Sequence, residues 1–393
     1  MRAERSPERD EVLVRLAAMW YLLKQLKKRK EVRMAARLIV QRVGKIFKGA
    51  WKRHIENLGL LVAAAFEARR LGVAILGRYL STGTSPKHAI KRVDRFLGNH
   101  RFDHRWAQER LLRSVIGPRK RVLIAVDWTK VRQWSVLVAA VIQRGRAVPV
   151  LWSVMQAKSL YKSVNAFEHG FFSWLSQALP PGVEGVVLLD RGFKRVALVN
   201  HLKRCGLRFI IRTGGNVHVR HPQYEGRMDR VIQKRGERRD LTDALLRPSR
   251  PVRVRVVGGW ERGQREPWLL MTDLDWAVKH VIAAYGKRFR IEETFRDEKN
   301  SRFGLFLGGV KFHHAERLER MLLVAALVHF FAMAAGAMAR KLGLDRQFRA
   351  NTVRHKATHS DFTLGLYYFP RLLRNRKITL HLLYRDTEME FWG

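Results

Sequence analysis

Two aspartates in this chain each stand directly behind a short apolar run. Asp127 follows Arg121–Val126 (RVLIAV) and Asp190 follows Gly185–Leu189 (GVVLL). Such runs read as buried strands. A buried strand leading into Asp sets a carboxylate at the C-terminal edge of a sheet, where open α/β folds build their sites. The plain alternative is a carboxylate that caps the next turn or helix. Two such residues on strands expected to be neighbours favour a site. A third carboxylate, Glu292, lies in Tyr285–Lys299 (YGKRFRIEETFRDEK). Spacings of 3, 4, 4 and 3 place Tyr285, Arg288, Glu292, Arg296 and Lys299 on one face of a helix. Ala284, Ile291 and Phe295 form an apolar stripe beside it, suited to docking the helix on a sheet. Glu293 competes with Glu292 but sits about 100 degrees round the helix.

Asp, Asp and Glu together make an all-oxygen site for hard divalent cations, Mg²⁺ or Mn²⁺. Two such ions, held roughly 3.5–4 Å apart, activate an attacking water or 3′-hydroxyl and stabilise the leaving oxygen. Cations around one carboxylate then suit phosphate rather than a salt-bridged surface, with Arg288, Arg296 and Lys299 as phosphate contacts and Tyr285 donating from a rigid stem.

The elements that must carry these residues follow from the texture of the chain. Residues 1–115 read as helical and basic. From Arg121 the pattern turns to strands: Arg121–Val126, then Ser135–Ile142 and Ala147–Met155 joined by a turn at Gln143–Arg146. A helix over Asn165–Leu179, stopped by Pro180-Pro181-Gly182, precedes the strand Gly185–Leu189, the helix Lys194–Arg204 and the strand Arg208–Arg212. Three strands, helix, strand, helix, strand is the order of an α/β sheet of the ribonuclease H kind rather than of a doubly wound dinucleotide fold. Neither a GxGxxG nor a Walker sequence follows any of these strands. The polar stretch 214–275, with alternating Val and Arg in Val252–Val257, reads as a β-rich insertion that extends the sheet or stands on it. The expected division is therefore 1–115 (helical DNA-binding region), 116–213 (first part of the core), 214–275 (insertion), 276–345 (Glu helix and core-completing helices) and 346–393 (C-terminal region).

Charge names the partner. The 393 residues hold 77 Lys and Arg against 34 Asp and Glu, a formal +43, which points to a polyanion such as nucleic acid. Met1–Val126 alone holds 30 basic and 10 acidic residues. Its densest cluster is Tyr21–Lys30 (YLLKQLKKRK), and a helix from Lys87 to Asn99 carries Lys91, Arg92 and Arg95 as DNA-contact candidates. A single cysteine, Cys205, excludes an internal disulfide and any multi-Cys zinc site. Met1–Glu11 mixes both charge signs without an apolar signal core, so a cytoplasmic location is expected. The apolar segment Met321–Met338 is at the lower edge of a membrane span, but His329 at its middle and its Ala and Gly content favour a buried helix.

On these residues the chain resembles the insertion-sequence-four transposases, a cut-and-paste branch of the DDE class. Tyr285, Arg288, Glu292 and Lys299 match the Tyr-x2-Arg-x3-Glu-x6-Lys signature at all three spacings. Asp127 in AVDWT and Asp190 in LLDRGF match the first and second catalytic motifs, with intervals of 63 and 102 residues to the next acid. The resemblance covers roughly residues 87–342. It implies a ribonuclease H-like core, two Mg²⁺ ions, double-stranded DNA partners (terminal inverted repeats and target), a homodimer at synapsis, and a bacterial cytosolic, nucleoid-associated setting. It also implies nicking, hairpin formation, hairpin opening and strand transfer. By position Trp268 in PWLLMTD resembles an insertion Trp on which a flipped base stacks, although a Trp packed beside a strand fits equally. Phe289 departs from the Trp common in relatives. Two other readings remain at this level: a ribonuclease H-like nuclease or resolvase, and a catalytically silent DNA-binding relative.

Overall fold

The computed structural model describes residues 32–160, 163–215, 217–246, 251–302, 304–349 and 359–374. Tyr21–Lys30 lies outside the described residues, as does much of the expected C-terminal region.

Helix α1 is described over residues 32–46, and α2 (Lys52–Ala68), α3 (Val73–Tyr79), α4 (Pro86–Leu97) and α5 (His104–Ile116) follow it. The α5 start is set by Asp103, whose carboxylate accepts from the Trp106 N–H at 3.0 Å, and its end by Gly117 at φ +60°. Strands β1 (Arg121–Val131), β2 (Trp134–Ile142) and β3 (Ala147–Gln156) then form an antiparallel meander. The β2–β3 turn falls at Gln143–Arg146 as the sequence predicts, with Gly145 at φ +69° and Gln143 N–H bonded to Arg146 O. Next come α6 (Val164–Ala178), β4 (Glu184–Leu189), α7 (Val196–Arg204) and β5 (Arg208–Arg212). Five further strands occupy the predicted insertion: β6 (His218–His221), β7 (Tyr224–Arg227), β8 (Arg238–Leu246), β9 (Val252–Gly259) and β10 (Trp268–Thr272). The chain continues through α8 (Val278–Gly286), α9 (Arg290–Lys299), α10 (Ala315–Lys341) and α11 (Asp361–Arg374).

Among the described residues all ten strands join one sheet in the order β3-β2-β1-β4-β5-β10-β9-β8-β6-β7. β1, β4 and β5 run parallel, and β10 pairs antiparallel with β5. The insertion therefore extends the sheet rather than standing on it. β2 is buried along its full length and β1, β4 and β5 through their centres, as two-sided covering by helices requires.

The apolar segment 321–338 lies within α10, which is long and apolar enough to cross a membrane. Here its most apolar stretch is 94% buried inside the protein, packed against β3, α2, α5 and α11. Each Leu, Val or Phe it removes from water contributes about 1.5–3 kcal/mol. His329 at its middle is fully buried, stacks on Phe362 at 4.6 Å, and is pushed down to about 3 by burial, so it is neutral. Gly336 and Gly365 let α10 and α11 touch backbone to backbone. A Cβ on Gly336 would come within 1.7 Å of Asp361 O, and one on Gly365 within 1.7 Å of Ala332 O.

Candidate active site

The parallel pairing of β1 with β4 runs from Arg121↔Glu184 to Ala125↔Leu188. Two residues further along each strand, at the same level, stand Asp127 and Asp190. One expectation needs correcting here. Asp127 does not end its strand, because β1 runs on to Val131, paired only with β2. The tight β1–β2 turn, with Arg132 at φ +54°, carries the ladder past the point where β4 stops. Asp190 does end β4, and its Oδ1 accepts the Gly192 N–H at 2.8 Å.

Glu292 arrives from the other end of the chain on α9. The single helix predicted over Tyr285–Lys299 is interrupted: α8 ends at Gly286, a 3-10 turn spans Lys287–Phe289, and α9 begins at Arg290. The face assignment nevertheless holds for Arg288, Glu292 and Lys299. α9 is tied to the β2–β3 hairpin by its opposite edge. Arg290 donates to Gln143 O at 2.6 Å, Thr294 Oγ1 donates to Ala147 O at 2.7 Å, and Arg146 pairs with Asp297 at 2.6 Å. Ile291 and Phe295 are buried against the core. With positions 290, 294 and 297 so anchored, Glu292 turns toward β1 and Glu293 turns away.

Arg288 joins the carboxylates. Its side chain is almost fully buried, with Nη1 at 3.2 Å from Asp127 Oδ2 and Nη2 at 2.5 Å from Glu292 Oε1. Lys299 Nζ reaches back to Thr129 Oγ1 on β1 at 2.6 Å. Tyr285 is 1% exposed, stands edge-on to Trp268, and hydrogen-bonds Arg288. It thus braces the arginine and is not open to a phosphate as the sequence suggested. Arg296 is also placed differently from expectation. Its guanidinium is 69% exposed and pairs with Glu293 at 3.0 Å, away from Asp127 and Glu292. A long exposed side chain follows its nearest counter-charge rather than its helix face. Trp268 is half-buried at the start of β10, stacked on Phe289 at 5.8 Å, with Gly286 close beneath its ring. Among the candidates on α4, Lys91 and Arg95 are exposed, whereas Arg92 is engaged with Asn57 at 2.7 Å and Glu56 at 3.0 Å.

Crowding shows in the protonation of Asp127. Burial pushes its carboxyl up to about 6; Arg288 pulls it down, Asp190 pushes it up, the Trp128 N–H lowers it, and Glu292 raises it again. Burial likewise lowers Lys299, against the attraction of Glu298 and Asp127. Glu298, facing inward one residue away, is pushed up to about 8 by burial.

One group escaped the sequence reading. Glu168 on α6 is 2% exposed, accepts from Trp128 Nε1 at 2.9 Å and pairs with Arg195, and its carboxyl is raised by burial. Asp190 is close enough to add to that rise. The available signal was a lone acid in an apolar helix, VNAFEHGFFSWL.

Among the described residues no three His, Cys, Asp or Glu side chains lie close enough together to hold a metal ion as they stand. The guanidinium between Asp127 and Glu292 supplies the positive charge there. The donor set itself is all carboxylate oxygen, and burial with Asp190 and Glu292 raises the Asp127 carboxyl despite Arg288, so the residues fit a hard divalent cation.

The mixed sheet thus brings Asp127, in mid-strand, and Asp190, at a strand end, to one level, with a helix-borne glutamate, a buried arginine and a lysine on the neighbouring elements. Residues 166–330 match the family model for the transposase DDE domain. The matched stretch contains Asp190 and Glu292 and begins after Asp127. It supports a DDE transposase family and, in general terms, transposase activity on DNA. No curated protein matches the chain.

Proposed function

We propose that this protein is a cut-and-paste DNA transposase of the insertion-sequence-four kind, with Asp127, Asp190 and Glu292 as its catalytic and metal-holding carboxylates on a ribonuclease H-like core. The observation that carries this reading is that Arg288 bridges Asp127 and Glu292, from separate stretches of chain, while Asp190 stands level with Asp127 and close enough to raise its carboxyl. Bound there, two Mg²⁺ ions (or Mn²⁺ in their place) would supply the Lewis acidity for phosphodiester cleavage and for joining the 3′-hydroxyl ends to target DNA. The protein's own part is positioning and charge. The β1–β4 register leads Asp127 and Asp190 to one level just past the end of its ladder, and α9 brings Glu292 to the Arg288 that also binds Asp127. Arg288, braced by Tyr285, and Lys299 stand where the phosphate oxygens of a scissile strand need neutralising. Lys91, Arg92, Arg95 and Arg296 serve the DNA backbone further out, and Trp268 with Phe289 forms an aromatic step for an unstacked base. A homodimer joining two transposon ends, and the division into 1–115, 116–213, 214–275, 276–345 and 346–393, belong to the same proposal.

The test is cleavage of DNA bearing the flanking inverted repeats, with Mg²⁺ or Mn²⁺. End-specific cutting is expected, lost in Asp127→Ala, Asp190→Ala and Glu292→Ala and kept in Glu293→Ala. A dead Glu293→Ala beside an active Glu292→Ala would reverse the helix-face assignment. Cutting that never proceeds to strand transfer would favour a nuclease.

A further inference from the structure

We propose that Glu168 is a positioning residue that clamps both aspartates of the site at once; the inference rests on the three-carboxylate reading above. The β1–β4 ladder ends at Ala125↔Leu188, so no strand hydrogen bonds hold Asp127 and Asp190 in mutual register. Glu168 bridges the gap from α6. Its Oε1 accepts from Trp128 Nε1 at 2.9 Å, and its Oε2 accepts from Arg195 Nη2.

Each donor leads to one aspartate. Trp128, its ring also stacked on Phe167 at 5.6 Å, gives its backbone N–H to Asp127 Oδ1 at 2.8 Å. Arg195 gives Nη1 to Gly192 O at 3.0 Å, and Gly192 N–H binds Asp190 Oδ1 at 2.8 Å. One carboxylate thus fixes the peptide behind Asp127 with one oxygen and the turn behind Asp190 with the other. With both oxygens engaged and the side chain 3% exposed, Glu168 is placed to orient ligands and not to be one.

The full chain is titrated with Mn²⁺, followed by electron paramagnetic resonance, in wild type, Glu168→Gln and Trp128→Phe. The phenylalanine variant keeps the stacking on Phe167 and removes only the Nε1 donor. Loss of such an orienting partner weakens metal binding by about 10–100-fold. That weakening is expected in both variants, with cleavage reduced in step and affinity for uncleaved end DNA unchanged. Wild-type Mn²⁺ affinity in Trp128→Phe overturns the proposal, whatever Glu168→Gln does. Lower melting temperature and DNA affinity without weaker Mn²⁺ binding marks a purely structural role and overturns it too. Should Glu168→Gln fail to fold, Trp128→Phe decides alone. Asp127→Ala is the reference: if it binds Mn²⁺ like wild type, the three-carboxylate reading itself fails.

Discussion

Replacing Asp127 by Asn should make the metal-free protein more stable while destroying its activity. Asp127 has an ordinary value of 3.8 that the folded site raises to about 6. In the unfolded chain it ionises near 3.8, so between there and about 6 the folded state holds a proton that the unfolded state has lost. Stability from this group is therefore full below pH 4, falls as pH rises through 6, and is flat above. A rise of about two units corresponds to about 3 kcal/mol at neutral pH, and access of water to the 18% exposed side chain trims this to about 1–3 kcal/mol. Asn mimics the protonated acid in size and charge, so Asp127→Asn should recover that amount at pH 7 and nothing at pH 4. The assay is urea unfolding with a chelator at pH 4, 5, 6 and 7, comparing variant with wild type at each. Adding Mg²⁺ should stabilise wild type by mass action, about 2.7 kcal/mol at a hundredfold excess over its dissociation constant, and leave the variant unmoved. An Asn variant less stable than wild type by the same amount at every pH would refute the reasoning, because it would mean that the carboxyl titrates alike in the folded and unfolded chain, with Arg288 fully offsetting burial and repulsion.

Glu298→Gln should gain stability over wild type as pH rises from about 4.5 to about 8 and then hold a constant lead, since the buried acid is protonated up to about 8 in the folded state; thermal melts across that range check it. Gly336→Ala should cost about 3 kcal/mol or more, because its Cβ would meet Asp361 O at 1.7 Å and α10 must part from α11; denaturant midpoints report the loss. Lys91→Ala and Arg95→Ala should weaken end DNA of any sequence alike and each lower the slope of log affinity against log salt by about 1, whereas a slope identical to wild type would remove α4 from the DNA surface.

The sequence alone carried most of the local elements and named the candidate acids. The short apolar runs RVLIAV and GVVLL read as central strands, and the 3.6-residue period put Tyr285, Arg288, Glu292, Arg296 and Lys299 on one face, of which Arg288, Glu292 and Lys299 kept the expected placing. The excess of Lys and Arg pointed to a polyanion as partner. Pairwise distance across the chain was beyond it. Where β1 ends depends on its pairing with β2 across the tight turn at Arg132, which the apolar run does not mark, so Asp127 proved to be mid-strand. Arg296 took its nearest counter-charge, Glu293, and Tyr285 was buried beneath Trp268. Glu168 was illegible for the same reason: its meaning lies in Trp128 and Arg195, 40 and 27 residues away, and only packing brings them together. Sequence supplies which groups can do chemistry; the tertiary fold decides which are free to do it, because burial and the nearest opposite charge are properties of the packed chain.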